Sequence, residues 1–160
     1  MALKPGRSHV HSDISYFMNE VAERGGVVVL STLASGEAMD DSAALVTYAV
    51  NQSGTMPVGI LMCDMVDKDL TKVPLNRYKH EVQKGSKVTL WTIGEVTTNM
   101  IYPGQAIAVG DPAYLGPSGL LTPTDGNVQA TPIVGVFKSK KDSDGYAKVF
   151  VNLPMATPRL

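Results

Sequence analysis

Two rhythms of hydrophobic and polar positions run along this chain. Residues 12–24 carry the longer one: Ile14, Phe17, Met18 and Val21 fall at i, i+3, i+4 and i+7, the spacing of one helical face. Ser12 or Asp13 is placed to cap the first amides and Gly25-Gly26 to stop the helix, so this spacing predicts one N-terminal α-helix over 12–25. Its apolar stripe is expected to lie on the rest of the domain or on a partner subunit. From Val27 the rhythm shortens. Apolar runs at 27–30, 45–50, 56–61, 86–93, 104–109, 112–115, 119–122, 131–137 and 146–151 are separated by Gly, Pro, Asn, Asp and Ser. Glycine accepts positive φ, proline presets φ, and the short polar side chains bond to nearby backbone, so these gaps read as turns. Runs this close in sequence pair antiparallel, because a parallel return needs a crossover of about a dozen residues. The expected fold is mainly β, an antiparallel barrel or sandwich over 26–152.

Particular residues refine this outline. The run Val27-Val28-Val29-Leu30 has no polar alternation and predicts a strand buried on both faces. Met56-Pro57-Val58-Gly59-Ile60-Leu61 and Thr131-Pro132-Ile133-Val134-Gly135-Val136-Phe137 echo each other, and both interior glycines are expected to mark a bulge or a close backbone approach. Trp91, the one tryptophan, falls on the Thr side of the alternation around Val88 and Leu90, which makes it part of a second core or an interface anchor. The segment 138–145 reads as a hairpin tip with a type I′-like turn. Residues 67–81 form a long excursion without strand rhythm that carries Arg77 and Tyr78, residue types enriched at binding hot spots. Residues 153–160 read as a tail.

The N-terminal segment 1–11 reads as an extended arm, since Pro5-Gly6 excludes helix. With only Met1, Leu3 and Val10 to bury, it is expected to order on a neighbouring molecule by adding backbone pairing to a sheet edge. Leu3, Lys4, Arg7 and Val10 are its candidate contact residues. Together with Arg77, Tyr78 and Trp91 they form the expected contact set.

Composition narrows the function classes. Of 160 residues, 44% are hydrophobic, enough for a real core, and 18% are charged, which is lean and suits a surface partly hidden in an assembly. A formal net charge of −1 leaves no basic footprint for nucleic acid. No apolar run approaches the ~18 residues of a membrane span, and no signal-peptide layout precedes the domain. The lone Cys63 lies in a continuous apolar run and reads as a buried small hydrophobe. His9 and His11 share one side of an extended arm, but only His80 could join them, so a metal site is not expected. Asp40 and Asp41 are adjacent and would point to opposite faces of an extended backbone. Asp142-x-Asp144-Gly145 lacks the remaining ligand series of a calcium loop. No nucleophile elbow, HExxH or phosphate loop occurs. Neither catalysis, a metal nor a cofactor is expected.

The C-terminal third has a more particular pattern. Gly110-Asp111-Pro112-Ala113-Tyr114-Leu115, then Pro132-Ile133-Val134-Gly135-Val136-Phe137, then Tyr146-Ala147-Lys148-Val149-Phe150-Val151 occur in that order, with a Gly-containing turn after the first. This order resembles the C-terminal barrel of the capsid decoration (cement, head-stabilising) proteins of tailed bacteriophages. The resemblance implies a β-tulip-like barrel and a structural virion protein made in the host cytoplasm. It implies attachment to the major capsid protein on the outer capsid surface, and self-association, most often as a homotrimer. The first hundred residues carry no such pattern. A ligand- or carbohydrate-binding β-module is the alternative, although six Tyr and one Trp are too scattered to outline a platform.

Overall fold

The runs Val27–Leu30 (β4), Ala44–Tyr48 (β5), Pro57–Asp64 (β6) and Lys87–Thr98 (β8) are strands, as their short rhythm predicts. So are Pro112–Leu115 (β9), Leu121–Thr122 (β10), Ile133–Phe137 (β11) and Ala147–Asn152 (β12). The remaining strands are Leu3–Lys4 (β1), His11–Met18 (β2), Ala22–Glu23 (β3) and Glu81–Val82 (β7). These come from a computed structural model that describes residues 3–4, 11–31, 44–48, 50, 54–64, 81–125 and 131–153. Arg7, Val10, Asp40, Asp41, residues 67–80 with Arg77 and Tyr78, and the tail from 154 lie outside the described residues, as does the burial of the Cys63 side chain.

The predicted helix over 12–25 is instead β2, a turn and β3, and the described residues contain no α-helix. The helical spacing is overridden by pairing. β2 lies antiparallel to β8, with Ser12 opposite Trp91 and Phe17 opposite Lys87, and parallel to β5, with Phe17 opposite Leu45. Of the supposed apolar face, Met18 is buried while Ile14 and Val21 are 46% and 56% exposed. Asp13, expected as a helix cap, accepts a hydrogen bond at Oδ1 from the Ser15 amide (2.8 Å), where an extra residue on β2 shifts the register against β8. Tyr16, Phe17 and Ile14 are aromatic or β-branched and favour the pleated surface once two neighbours are available. The β2–β5 pair also corrects the expectation of a wholly antiparallel sheet.

The pairings form a circuit. From β8 they pass to β2, β5, β4 and β6, and β6 pairs back to β8 through Ile60 opposite Trp91 and Leu61 opposite Leu90. All five strands feed one buried cluster: Met18, Val46, Tyr48, Val28, Val58, Leu61, Val88 and Leu90. A second layer, ordered β10-β9-β11-β12, joins β8 along Ile93–Thr98 and covers another cluster. That cluster takes Val27 and Val29 from β4, Ile60 from β6, Val96 from β8, and Leu115, Leu121, Val134, Phe137, Val149 and Val151 from the second layer. β4 therefore buries both faces, as its unbroken apolar run predicts: Val28 faces one cluster, Val27 and Val29 the other. Trp91, partly buried, packs against the second-layer cluster.

Three local expectations meet the structure differently. Gly59 and Gly135 both sit at register shifts with backbone close by, as the echo predicts: a Cβ on Gly59 would lie 3.0 Å from the Trp91 carbonyl oxygen, and one on Gly135 would run into that of Phe150. The run 104–109 is not a strand; Ile107 dips into the core while Val109 is 64% exposed. The tip of the β11–β12 hairpin is not type I′, because Ser143 and Asp144 lack positive φ. Gly145 (φ 86) alone takes the left-handed region, its amide donating to the Asp142 carbonyl at 3.1 Å, a type I turn with a glycine bulge. The Asp142 carboxylate accepts from the amides of Asp144 and Tyr146 (3.0 and 2.7 Å), which gives it a structural task in the turn.

The two layers are locked together at Tyr48. Its hydroxyl accepts from the Gly26 amide at 3.2 Å and donates to the Glu23 carbonyl. Its ring lies against Gly26 and against Gly119, which ends a short 3-10 turn over Pro117–Gly119 just before β10. Glu20 holds the strand in place, its Oε1 accepting from the Tyr48 amide and the Thr47 hydroxyl, both at 2.5 Å. Burial raises the Tyr48 phenol well above its ordinary value, a shift only partly opposed by the hydrogen bond from Gly26.

Candidate functional site

β12 alternates cleanly, with Ala147, Val149 and Val151 buried and Lys148, Phe150 and Asn152 exposed. Phe150 is thus a large aromatic on the solvent face. Residues directly opposite across paired strands present their side chains on the same face, so register shows what stands beside it. Val136 of β11 lies opposite Phe150, Pro112 of β9 opposite Val136, and Glu95 of β8 opposite Phe150 on its other flank. The result is a transverse row, Pro112–Val136–Phe150–Glu95, across four strands. Phe150 and Val136 in it are 41% and 42% exposed.

A second, shorter row widens the first. The register shift between Ile133 and Gly135 puts Ile133 and Val136, three residues apart, both on the outer face. Ile133 stands opposite Tyr114 of β9. Large apolar side chains gathered on a sheet face and rimmed by polar groups mark interaction surfaces, whereas single exposed ones do not.

The polar rim is a charged triad. Glu95 accepts from Lys138 Nζ at 3.0 Å and faces Lys148 Nζ at 3.3 Å, two cations sharing one carboxylate. The Lys138 hydrogen bond is the main cause holding the Glu95 carboxyl below its ordinary value of 4.5, with Lys148 adding to it and partial burial opposing. A depressed carboxylate stabilises the fold above its unfolded-state pKa, and that contribution is lost as pH falls through the folded value. Half-exposed lysines make it worth under about 1 kcal/mol. In Lys138→Ala the Glu95 midpoint, followed by carboxyl NMR, is expected to rise toward the ordinary value with little change in melting temperature; an unmoved midpoint would show that Lys138 does not hold this carboxylate.

Of the contact residues expected from sequence, the described ones, Leu3, Lys4 and Trp91, are not part of these rows. Leu3 and Lys4 lie in β1, opposite Thr98 and Thr97 on the other edge of β8 from β12. Within the single chain, these two residues of the arm pair by backbone with β8 of their own domain. Trp91 lies further along β8, opposite Ser12 and Ile60, against the core. Pro112, Ile133, Val136 and Phe150 were not among the expected contacts. Phe150 was detectable as the one apolar residue on the polar side of the Lys148–Asn152 alternation, but its neighbours are set by register alone. Among the described residues, no group of three His, Cys, Asp or Glu is placed to hold a metal ion, and no helix is long and apolar enough to cross a membrane.

No protein-family model and no curated protein matches this chain. Among solved structures, it is similar to the head fiber gp8.5 N base in bacteriophage phi29, with 15% identity, a TM-score of 0.49, and coverage of 94% of this chain and 98% of that one. At that identity and score the likeness carries no functional argument.

Proposed function

We propose that this chain is a structural virion protein, without catalytic activity, metal or cofactor, that binds the outer surface of a tailed-phage capsid and stabilises it by bridging major capsid subunits. Two things support the reading. The decoration-protein resemblance falls on the segments that form β9, β11 and β12, and those three strands carry the exposed apolar row. The row is the observation that carries the proposal: Pro112, Val136 and Phe150 stand side by side on the outer face of paired strands, an apolar surface already assembled before binding. Association as a homotrimer belongs to the same proposal through the resemblance. It would multiply a modest contact by presenting several copies at once.

The test is co-sedimentation of the purified chain with assembled capsids of a phage that encodes it. Stoichiometric binding to the shell is the expected result, and a chain that stays in the supernatant at every ratio would end the reading. Phe150→Thr, which keeps a β-branched residue on the solvent face and sets no second carboxylate opposite Glu95, is expected to cost no more than about 1 kcal/mol of folding stability. Capsid binding should fall at least about thirtyfold, the size of an aromatic hot spot. Undiminished binding by that variant would move the contact away from this face.

A further inference from the structure

β8 is paired along both edges. One edge carries β6 and then β12; the other carries β2 and then β1. β1 contributes a ladder of two residues, Leu3 opposite Thr98 and Lys4 opposite Thr97, while β2 resumes on the same edge at His11 opposite Ile93. Seven backbone steps join Lys4 to His11, against four steps from Thr97 to Ile93. Seven steps reach at most about 24 Å at ~3.5 Å each, and four ladder steps cover about 14 Å. The connection is therefore longer by about 10 Å than its own edge requires.

We infer that the Thr97–Thr98 edge of β8 is a strand-acceptor site whose other occupant is the Leu3–Lys4 strand of a second copy of this chain. The occupant follows from the pairing itself: the segment that fits this edge is the chain's own β1, and the same backbone pairing is available between copies, bond for bond. Cis and trans forms then differ only in the entropy of the connection and in concentration. A ladder of only two residues holds its own edge weakly enough for a neighbour's strand to compete. Exchange around a closed ring of copies fills every acceptor edge, in a pair or in a trimer alike. This inference does not depend on capsid binding.

Two single-cysteine chains test it in a Cys63→Ser background, one with Lys4→Cys and the other with Thr97→Cys. Opposite Cα atoms of an antiparallel ladder lie about 4.5–5.5 Å apart, within the span of a disulfide. In a glutathione redox buffer the mixed chains are expected to form a disulfide-linked heterodimer. Its yield should rise with concentration to half-maximum near 1 mM, on the order of the effective concentration of a short tether. It should also exceed, by about tenfold, the yield with a Ser143→Cys partner, whose thiol sits on the exposed hairpin tip. A chain carrying both Lys4→Cys and Thr97→Cys should close on itself when dilute. Heterodimer formation no better than the Ser143→Cys control overturns the inference, and so does a doubly substituted chain that never closes. Gel filtration of the unmodified protein at the same concentrations supplies a second reading: a dimer or trimer fraction lost on removing residues 1–4 supports exchange, and one that persists without them overturns it.

Discussion

Gly135→Ala is expected to cost more than about 4 kcal/mol, most of the stability of a marginally stable domain. Gly135 is buried in β11 between β9 and β12, opposite Val151 on one side and Ala113 on the other. An added Cβ would overlap the Phe150 carbonyl oxygen and stand 2.9 Å from the Phe150 carbonyl carbon and 3.1 Å from the Val151 Cα. All three are backbone atoms of a paired strand, so no rotamer change relieves the contact. The strands must separate, and the β11–β12 ladder and the cluster under it go with them. Soluble yield and urea denaturation check this. A wild-type midpoint would mean that the register shift between Ile133 and Gly135 is not as described. The neighbouring Val136→Ala, on the exposed face, is expected to cost under about 1 kcal/mol and serves as the control.

The second large effect is expected at the Tyr48 lock. Gly119 has φ +73, and a Cβ there would run into the Tyr48 ring and lie 2.8 Å from the Val27 carbonyl oxygen. Left-handed backbone costs alanine roughly 1 kcal/mol before any contact is counted, and the overpacking adds about 1–3 kcal/mol. Tyr48→Phe should cost about 1–3 kcal/mol by a separate route, stranding the Gly26 amide and the Glu23 carbonyl without their partner. Combining Gly119→Ala with Tyr48→Leu tests the lock, because removing the ring removes part of the clash and the two costs should add to less than their sum. Strict additivity would show that the layers are not joined there. pH supplies an independent check. A phenol raised by burial keeps its contribution below its ordinary value of 10.0 and loses it as pH rises toward the folded value. The alkaline fall in stability should therefore shrink in Tyr48→Phe.

Much of the strand layout was legible from residues that can do only one thing. Val27-Val28-Val29 has no polar position to give to solvent, and it became the wall between two buried clusters. The glycines at 59 and 135, each inside a β-branched run, marked the close approaches where the ladders slip. The helix over 12–25 misled because four apolar residues fell by coincidence at helical spacing. What makes 11–18 a strand is a partner seventy residues away on β8 and a parallel neighbour at Ala44, and no local pattern carries that information. The candidate surface was half legible for the same reason. Alternation within β12 puts Phe150 outside, but only the pairing register sets Pro112 and Val136 beside it.

The two buried clusters also have an order in time. Every strand of the pairing circuit lies between His11 and Thr98, and every strand of the covering layer begins at Pro112 or later. A ribosome emitting this chain therefore delivers the complete inner circuit first, with Val27, Val29, Ile60 and Val96 bare until the final third emerges to cover them. Premature stop codons in that final third would release a fragment able to pair all of its ring strands yet displaying an uncovered greasy wall, which makes such fragments natural clients for chaperones and natural seeds for aggregation.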